Sequence, residues 1–331
     1  MGAGSSGGKL TFNSQVQLNR PGLLLVNGNV YVAFGSYDDI GNYHGWLFAY
    51  NAQSLTTPSA VFNTSKNTTA DSIWQSGCGI SADKNGDLFF ATANGGFTVQ
   101  NGGSSFANSV IHMRLVNGAL AALDYFAPNN ESFLNSNDLD LGSGCTTLLP
   151  DQSGTTHPHL SFTGGKEGNF FLLDRDNLGK YQTSDLDPSA VQVLPLGAAW
   201  SSPAYWNNLV YVGTNAHALR AFRLSSGLLS GPVSQSARSF GYPGVTPVVS
   251  ANGTSNGIVW ILEKSSTNQD VFLHAYNATN LSSELYNSTQ VATRDTIGAG
   301  TRFEIPLVAN GRVYVGTGGS TPQLQIFGMI P

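Results

Sequence analysis

The chain contains few charged residues. Asp, Glu, Lys and Arg make up 11% of its 331 residues, against roughly a quarter in ordinary soluble domains. Only 15 residues are Lys or Arg, and the net charge is −5, so the chain lacks the basic stripe that neutralises phosphates. No apolar run approaches the ~18 residues that a membrane-spanning helix needs. These absences argue against nucleic acid as a partner and against a transmembrane segment.

Cysteine is also scarce. Cys78 and Cys145 are the only two, and each follows a Ser-Gly pair ahead of an apolar run. If the two runs are neighbouring inner strands, a disulfide can join them, and two buried free thiols fit the pattern equally well. The sequence leaves both alternatives open.

Glycine is abundant, with 39 residues, and much of it lies in a returning hairpin unit. A short apolar run, an Asn-Gly turn and a β-branched or aromatic run occur around Asn27-Gly28, Asn85-Gly86, Asn252-Gly253 and Asn310-Gly311, with Asn207-Asn208 as a variant. Asn-Gly between alternating apolar residues is a strong hairpin signal, because a type I′ turn needs positive φ at both central positions. Hairpins repeated along a chain of this length predict a β-propeller.

We therefore predict an all-β fold, a β-propeller of about six four-stranded blades, with a seven- or eight-bladed parent as the alternative. Residues 1–8 have the composition of a flexible linker, and a single propeller domain covers 9–331. The repeats span about 20–63, 74–127, 142–196, 199–235, 244–288 and 303–330. The last repeat has only three strands, so residues 9–13 are predicted to supply its closing strand, since an open blade leaves an unpaired edge.

Several features favour export from the cell. Low charge with many Gly, Asn, Ser and Thr residues is typical of secreted β proteins. The N-terminus lacks the features of a signal peptide, so export would need a signal already removed or the chain to be part of something longer. Seven Asn-x-Ser/Thr sequons occur, either as glycosylation sites or by chance in a chain of this composition, at Asn63, Asn67, Asn130, Asn252, Asn277, Asn280 and Asn287.

Several motifs resemble secreted microbial proteins with pyrroloquinoline-quinone-like (PQQ-like) propeller repeats. The resemblance rests on Asn19–Leu25, Tyr43-His44-Gly45-Trp46, Asp138–Gly144, Gly165–Gly168 and Leu172–Asp176. It covers nearly the whole chain and implies the propeller fold and export, but no particular activity. Such proteins usually carry about two further blades, which would fit an eight-bladed parent.

The true quinone-dependent dehydrogenases of that superfamily carry a blade-docking Asp, vicinal cysteines and a calcium site. Here Asn51, Arg223 and Asn277 stand at the docking position, and no Cys-Cys pair exists. We therefore predict no cofactor, and PQQ with calcium is disfavoured.

Propellers bind ligands where loops from several blades converge, so polar loop residues are the candidates for a site. The candidate catalytic residues are His44, Asp38, Asp39, Asp138 and Asp140, and the candidate ligand-binding residues are Tyr43, Trp46, Lys166, Glu167 and Arg302. No metal site is predicted: Asp83–Asp87 has the oxygen spacing that starts a calcium loop, but it lacks the later Glu and continues into a strand. His157 and His159 flank Pro158, either as a metal-binding pair or in a solvated turn.

Individual candidates have more than one interpretation. His44 is either a general base oriented by Asp38 or Asp39, or a histidine that ties a long loop to the next strand. Asp138 and Asp140 alternate along an extended segment, so their carboxylates are expected to point to opposite faces. They serve either in a metal or base role, or as turn caps.

The functional expectation is an exported binding or scaffold protein for a carbohydrate, another small ligand or a protein partner. The alternative is a propeller enzyme, a lyase, hydrolase or quinone-dependent oxidoreductase, with its site at the channel mouth. No nucleophile elbow, phosphate loop, dinucleotide fingerprint or zinc spacing occurs, so the motifs do not choose between them.

Overall fold

The structure is a computed structural model that describes residues 1–184 and 187–328. The last two residues of the predicted sixth repeat and the predicted domain end at residue 331 lie outside the described residues. The chain forms two compact units, unit 1 over Met1–Ala198 and unit 2 over Ala199–Pro331.

Unit 1 begins with blade 1, in which two short strands share one neighbour. The inner segments β1 and β2 both pair with β3, which continues to β4 and the outer strand β5. The strands are β1 Gln17–Leu18, β2 Leu24–Val26, β3 Asn29–Ser36, β4 Trp46–Asn51 and β5 Ala60–Asn63.

Blades 2 and 3 complete unit 1. Blade 2 has the order β6-β7-β8-β9, with β13 added in parallel beside β9, and blade 3 has the order β10-β11-β12-β14. Two 3₁₀ turns, Val99–Asn101 and Leu141–Ser143, and the short helix α1, Glu131–Ser136, lie in the connections. The strands are β6 Ser81–Ala82, β7 Leu88–Ala91, β8 Val110–Val116, β9 Ala119–Ala127, β10 Thr146–Leu148, β11 Leu160–Gly164, β12 Asn169–Asp174, β13 Lys180–Tyr181 and β14 Ala190–Pro195.

Unit 2 contains blades 4, 5 and 6. Blades 4 and 5 are four-stranded meanders, and blade 6 has three strands in the described part of the chain. The short helix α2, Ala292–Asp295, precedes blade 6. The strands are β15 Ala204–Trp206, β16 Leu209–Gly213, β17 His217–Ser225, β18 Leu228–Phe240, β19 Val248–Asn252, β20 Ser255–Lys264, β21 Val271–Asn277, β22 Asn280–Asn287, β23 Leu307–Ala309, β24 Arg312–Gly316 and β25 Leu324–Phe327.

The fold is all-β, with six blades of antiparallel strands, and it is a β-propeller as predicted. The turn chemistry behind the prediction is confirmed at Asn27-Gly28 and Asn310-Gly311, whereas at Asn85-Gly86 and Asn252-Gly253 only the glycine has positive φ. Asn27 and Gly28 have φ of 49° and 72°, and Asn310 and Gly311 have φ of 52° and 72°. Positive φ at both positions is the type I′ geometry that Asn-Gly favours.

Within each unit, apolar side chains pack between adjacent blades. In unit 1, Leu47 and Ile73 join Leu88, Phe90 and Ile111 in one cluster. In unit 2, Tyr211 and Leu219 pack with residues of blade 5 such as Val259 and Ile261. Burial of these faces is the main favourable term that holds neighbouring sheets together.

Residues 9–13 do not form the predicted strand. They lie outside every strand of the described chain. Phe12 instead packs its ring edge-on against Phe34 and Phe48, with ring centroids 4.8 and 5.2 Å away. The segment therefore packs against blade 1 through an aromatic side chain and not through backbone pairing with a strand edge.

One set of connections in unit 1 carries most of the candidate residues. In an antiparallel meander, alternate connections lie at the same end of the sheet. The connections from second to third strands and from each fourth strand to the next blade therefore share one end. We call this set the loop surface, and it comprises segments 37–45, 64–80, 92–109, 128–145 and 165–168.

Candidate functional site

Lys166 lies at the centre of the candidate site on the loop surface. It follows Gly165 in the tight connection between β11 and β12, and its backbone N–H donates to the carbonyl oxygen of Asp140 at 3.0 Å. A Cβ atom on Gly165 would collide with that same carbonyl. Glycine therefore permits the close approach that brings Lys166 to the segment before β10.

Asp138 and Asp140 both bind the Lys166 ammonium group. Nζ lies 2.6 Å from Oδ2 of Asp140 and 2.9 Å from Oδ1 of Asp138. The expectation that the two carboxylates point to opposite faces is wrong. Asp138 has φ of 55°, so the segment is not extended there and both side chains turn to the same cation.

Two asparagines extend this arrangement into a polar network. Asn94 donates its backbone N–H to Oδ1 of Asp140 at 2.9 Å and its side-chain amide to Asp138 at 3.0 Å. Asn108 donates to Oδ1 of Asn94 at 2.9 Å and accepts from the N–H of Leu141 at 3.0 Å. Neither asparagine was a sequence candidate. The positive φ of Asn108 becomes informative only once the fold is known.

Burial and charge act against each other in the ion pair. Burial raises the pKa of Asp140, and the Lys166 ammonium offsets part of that rise. Burial also lowers the pKa of Lys166, but the carboxylates of Asp140 and Asp138 outweigh it and leave that pKa raised. The lysine therefore stays cationic, and its charge is already shared by two carboxylates.

Two buried carboxyl groups that sequence reasoning missed lie behind the network. Burial raises the pKa of Glu131 to about 7, with a hydrogen bond from Asn108 opposing the shift. Burial also raises the pKa of Asp71 well above its usual range, although its Oδ2 accepts the N–H of Phe106 at 2.8 Å. Oε1 of Glu131 and Oδ1 of Asp71 have no hydrogen-bond partner among the described residues. Beyond its carboxyl group, neither residue carried a signal in the sequence.

His44 does not pair with Asp38 or Asp39. It is buried, and its Nε2–H donates to the carbonyl oxygen of Ala3 at 2.9 Å, while Nδ1 contacts the Ser65 hydroxyl at 2.7 Å. Both ring nitrogens are thus occupied. The contacts match the alternative in which this histidine ties a long loop to its surroundings.

Tyr43 is the aromatic candidate that remains close to the network. Burial raises its pKa, and a hydrogen bond to Asp39 and the charges of Asp140 and Asp71 raise it further. Asp39 also accepts the Ser36 hydroxyl at 2.9 Å. Tyr43 stays neutral and offers a ring and a hydroxyl beside the carboxylates.

Trp46 is not available to a ligand. Only 6% of it is exposed. Its ring stacks on Phe48 and meets Phe12 edge-on. It is a core residue of blade 1, since it lies on β4 and faces the aromatic cluster.

The remaining candidates do not join the network around Lys166. Glu167 accepts amide hydrogens of Asn130 and Asn169 at 2.6 and 3.0 Å, and Asp38 is exposed in its loop. Arg302 is in unit 2, where its guanidinium lies over the Tyr242 ring at 5.8 Å beside a pocket of about 270 Å³.

The two motifs with metal-like spacing have other partners. Asp83 accepts the backbone N–H groups of Asn85 and Asp87 and so caps the predicted hairpin turn. His157 and His159 contact Asp174 and Asp176 at 2.8 and 2.7 Å. Within residues 1–184 and 187–328, no three His, Cys, Asp or Glu side chains are arranged to hold a metal ion.

A disulfide lies in the loop surface. Cys78 and Cys145 are bonded, with their Cα atoms 6.3 Å apart, so of the two alternatives the structure contains the disulfide. It joins the connection after blade 1 to the connection after blade 2. Because Asp138 and Asp140 lie in the second of these connections, the bond anchors the segment that presents them.

Chemically, the site offers a fixed set of hydrogen-bond donors and acceptors. Two carboxylates, two carboxamides and an ammonium group are held by one another. A nucleophile would need an adjacent base, and no such pair forms around Lys166 in the described residues.

None of the helices that the structure describes is long and apolar enough to cross a membrane.

Comparisons with known proteins concern the fold. No known protein-family profile matches the chain, and no curated protein matches it significantly. A crystal structure of the computationally designed protein Ika8 is similar, with a TM-score of 0.51 and 10% identity, over 92% of this chain and 70% of that one. BamB from Moraxella catarrhalis has a TM-score of 0.48 and 12% identity over 94% and 86% of the two chains. Sqt1 from Saccharomyces cerevisiae has a TM-score of 0.46 and 11% identity over 87% and 76%.

Proposed function

We propose that this protein is an exported, non-catalytic β-propeller that binds a polyhydroxylated ligand, a carbohydrate, through the loop surface around Lys166. The observation that carries the proposal is the shared coordination of Lys166 by Asp138 and Asp140, with Asn94 bonded to both carboxylates. Carboxylates and carboxamides held in fixed orientations can accept and donate hydrogen bonds to adjacent hydroxyl groups without reorganising.

The exposure of the cluster suits binding. Asp138 has 78% of its side chain exposed, whereas the side chains of Asp140 and Lys166 are 9% and 18% exposed. A ligand would therefore meet Asp138 first, while the buried pair keeps that carboxylate in place. Tyr43 adds a partly buried aromatic ring on which a sugar face could rest.

Export is supported by three independent features. The chain uses little charge, its two cysteines form a disulfide, and its motifs resemble secreted proteins with PQQ-like repeats. Structural disulfides persist mainly in oxidising compartments. The disulfide therefore favours the exterior of the cell over the cytosol.

A glycan array probed with the full chain tests the proposal, and isothermal titration calorimetry then measures affinity for any glycan retained. We expect at least one class of glycan to bind saturably. Asp138→Asn should weaken that binding about tenfold, because it removes a charged acceptor that the ligand contacts. Lys84→Gln is the matched control, since Lys84 also pairs with an aspartate, Asp151, but lies outside the loop surface.

Two results would contradict carbohydrate binding at the loop surface. Binding of a purified protein with no retained glycan would shift the function to protein scaffolding. A glycan that binds Asp138→Asn and the unmodified chain equally would place the ligand elsewhere.

One observation favours a second candidate, an enzyme of the lyase or hydrolase type. Glu131 has a pKa of about 7, which suits a general acid or base, and it lies next to Asn108 of the network. Turnover of oligosaccharides by the unmodified chain, lost in Glu131→Gln but kept in Asp138→Asn, would establish it. Unchanged glycans after long incubation would leave the binding function.

A further inference from the structure

Within the residues that the structure describes, blade 6 has no strand at the outer edge, where the other blades have one. In blades 1 to 5 a fourth strand, β5, β9, β14, β18 or β22, pairs antiparallel with the third. In blade 6, β25 pairs with β24, and no strand of the described chain pairs with its other edge. Unpaired strand edges are templates for another strand.

The hydrogen-bond pattern shows which backbone groups are open. Thr317 donates its N–H to the carbonyl oxygen of Gln323 at 2.8 Å, which makes this a hydrogen-bonded pair of the β24–β25 ladder. The alternation of an antiparallel pair then directs the N–H and C=O groups of Leu324 and Ile326 away from β24. Their side chains are also 64% and 52% exposed.

A pocket between blades 5 and 6 extends from the inner strands β19 and β23 to the open strand β25. Outer strands of neighbouring blades contact each other elsewhere, β5 with β9 and β18 with β22. Next to β22, on the side of blade 6, there is instead a pocket of about 890 Å³. Its walls include Tyr286 of β22, Ile326 and Phe327 of β25, and Trp260 of β20.

The side chains that line the pocket indicate which chemical groups an occupant would present to it. Tyr286, Phe327 and Trp260 present partly buried aromatic surface, which favours apolar or aromatic side chains. Arg312, also in the wall, is exposed and has no ion-pair partner in the described residues. Arg294 is already held by Asp295. An acidic group on the occupant therefore fits beside Arg312.

We propose that the outer edge of β25 binds an extended segment of a partner protein. The segment pairs antiparallel with β25, as the fourth strands of the other five blades do with their neighbours. Apolar side chains at alternate positions enter the pocket against Tyr286 and Phe327, and an acidic residue lies beside Arg312. Backbone hydrogen bonds supply affinity and the pocket supplies specificity, the usual division in strand addition.

The experiment uses a peptide that copies residues 119–127, which are β9, the fourth strand of blade 2, and which carry apolar side chains and one acidic residue, Asp124. Fluorescence anisotropy measures its binding to the full chain, and hydrogen exchange measures protection of residues 324–327. We expect saturable binding that slows exchange of the Leu324 and Ile326 amides. Ile326→Pro should weaken binding about tenfold, because proline removes an outward N–H while sparing the bonds to β24. Ile326→Thr keeps the N–H and should retain affinity within about threefold.

A control peptide tests whether binding requires backbone pairing with β25. The same sequence N-methylated at alternate amides should not bind, since it cannot pair. The proposal is overturned if the unmodified peptide does not bind, or if Ile326→Pro binds it as well as the unmodified chain does. It is also overturned if the Leu324 and Ile326 amides are already protected without peptide. Protection that rises with protein concentration would then indicate a second copy, and constant protection would indicate residues of the same chain.

Discussion

The ammonium group of Lys166 lies 2.6 Å from Oδ2 of Asp140. The two residues come from different blade connections, and only 9% of the Asp140 side chain is exposed. A buried carboxylate requires a nearby cation or hydrogen-bond donors to remain charged. This ion pair therefore holds two connections of the loop surface together and compensates the buried charge of Asp140.

Removing the cation should destabilise unit 1. Lys166→Met leaves Asp140 buried without its counter-ion, and we expect a loss of about 2 kcal/mol in the free energy of unfolding at neutral pH. Adding Asp140→Asn should recover part of the loss, because the uncompensated charge is gone. Urea unfolding of the single and double variants measures both. Lys84→Met, at a lysine side chain that is 73% exposed, should change stability by less than about 0.5 kcal/mol.

Glu131 should make stability depend on pH. Its pKa is raised by burial from 4.5 to about 7, so between those values the folded state holds a proton that the unfolded state has released. Its contribution is complete below about pH 4.5 and is lost as the pH rises to about 7. We expect a fall of about 2 kcal/mol across this window, allowing for solvent screening.

Glu131→Gln keeps the shape of the side chain and removes the titration. Its unfolding free energy should be flatter between about pH 4.5 and 7. Thermal unfolding in matched buffers compares the two chains. Parallel profiles would mean that Glu131 does not titrate in this window.

The disulfide should contribute to the stability of unit 1. Cys78 and Cys145 are 67 residues apart in the chain, and closing such a loop restricts the unfolded state. Loss of the bond in Cys78→Ser with Cys145→Ser should cost about 2–4 kcal/mol. The melting temperature with and without reductant gives an independent measurement. Equal melting temperatures in the two conditions, with thiols shown to be reduced, would contradict this.

The sequons should differ in glycan occupancy when the chain passes through a eukaryotic secretory pathway. Asn67, Asn252 and Asn280 are exposed, so their side-chain amides can carry a glycan. The Nδ2 atom of Asn63 is buried, and folding would have to change to admit one. Glycopeptide mass spectrometry should find glycans at the first three sites. A high occupancy at Asn63 would show that this residue is accessible before β5 folds.

The candidate site was only partly predictable. Lys166, Asp138 and Asp140 were candidates because they are polar residues in predicted loops, and the structure brings all three together. Asn94 and Asn108 could not be chosen, since asparagine is common here and their roles depend on contacts with a distant segment. His44 and Trp46 are both buried, because Trp46 faces the aromatic cluster of blade 1 from β4 and His44 is held in its loop by Ala3 and Ser65.

The sequence by itself determined the hairpins and the order of the strands. Asn-Gly turns and alternating apolar residues act over a few positions, so they can be read without the rest of the chain. Tertiary structure decided which loop residues meet. The contact of Lys166 with Asp140 and the bond of Cys78 with Cys145 depend on how neighbouring blades pack. Blade packing follows from burial of many apolar side chains at once, and no local pattern encodes it.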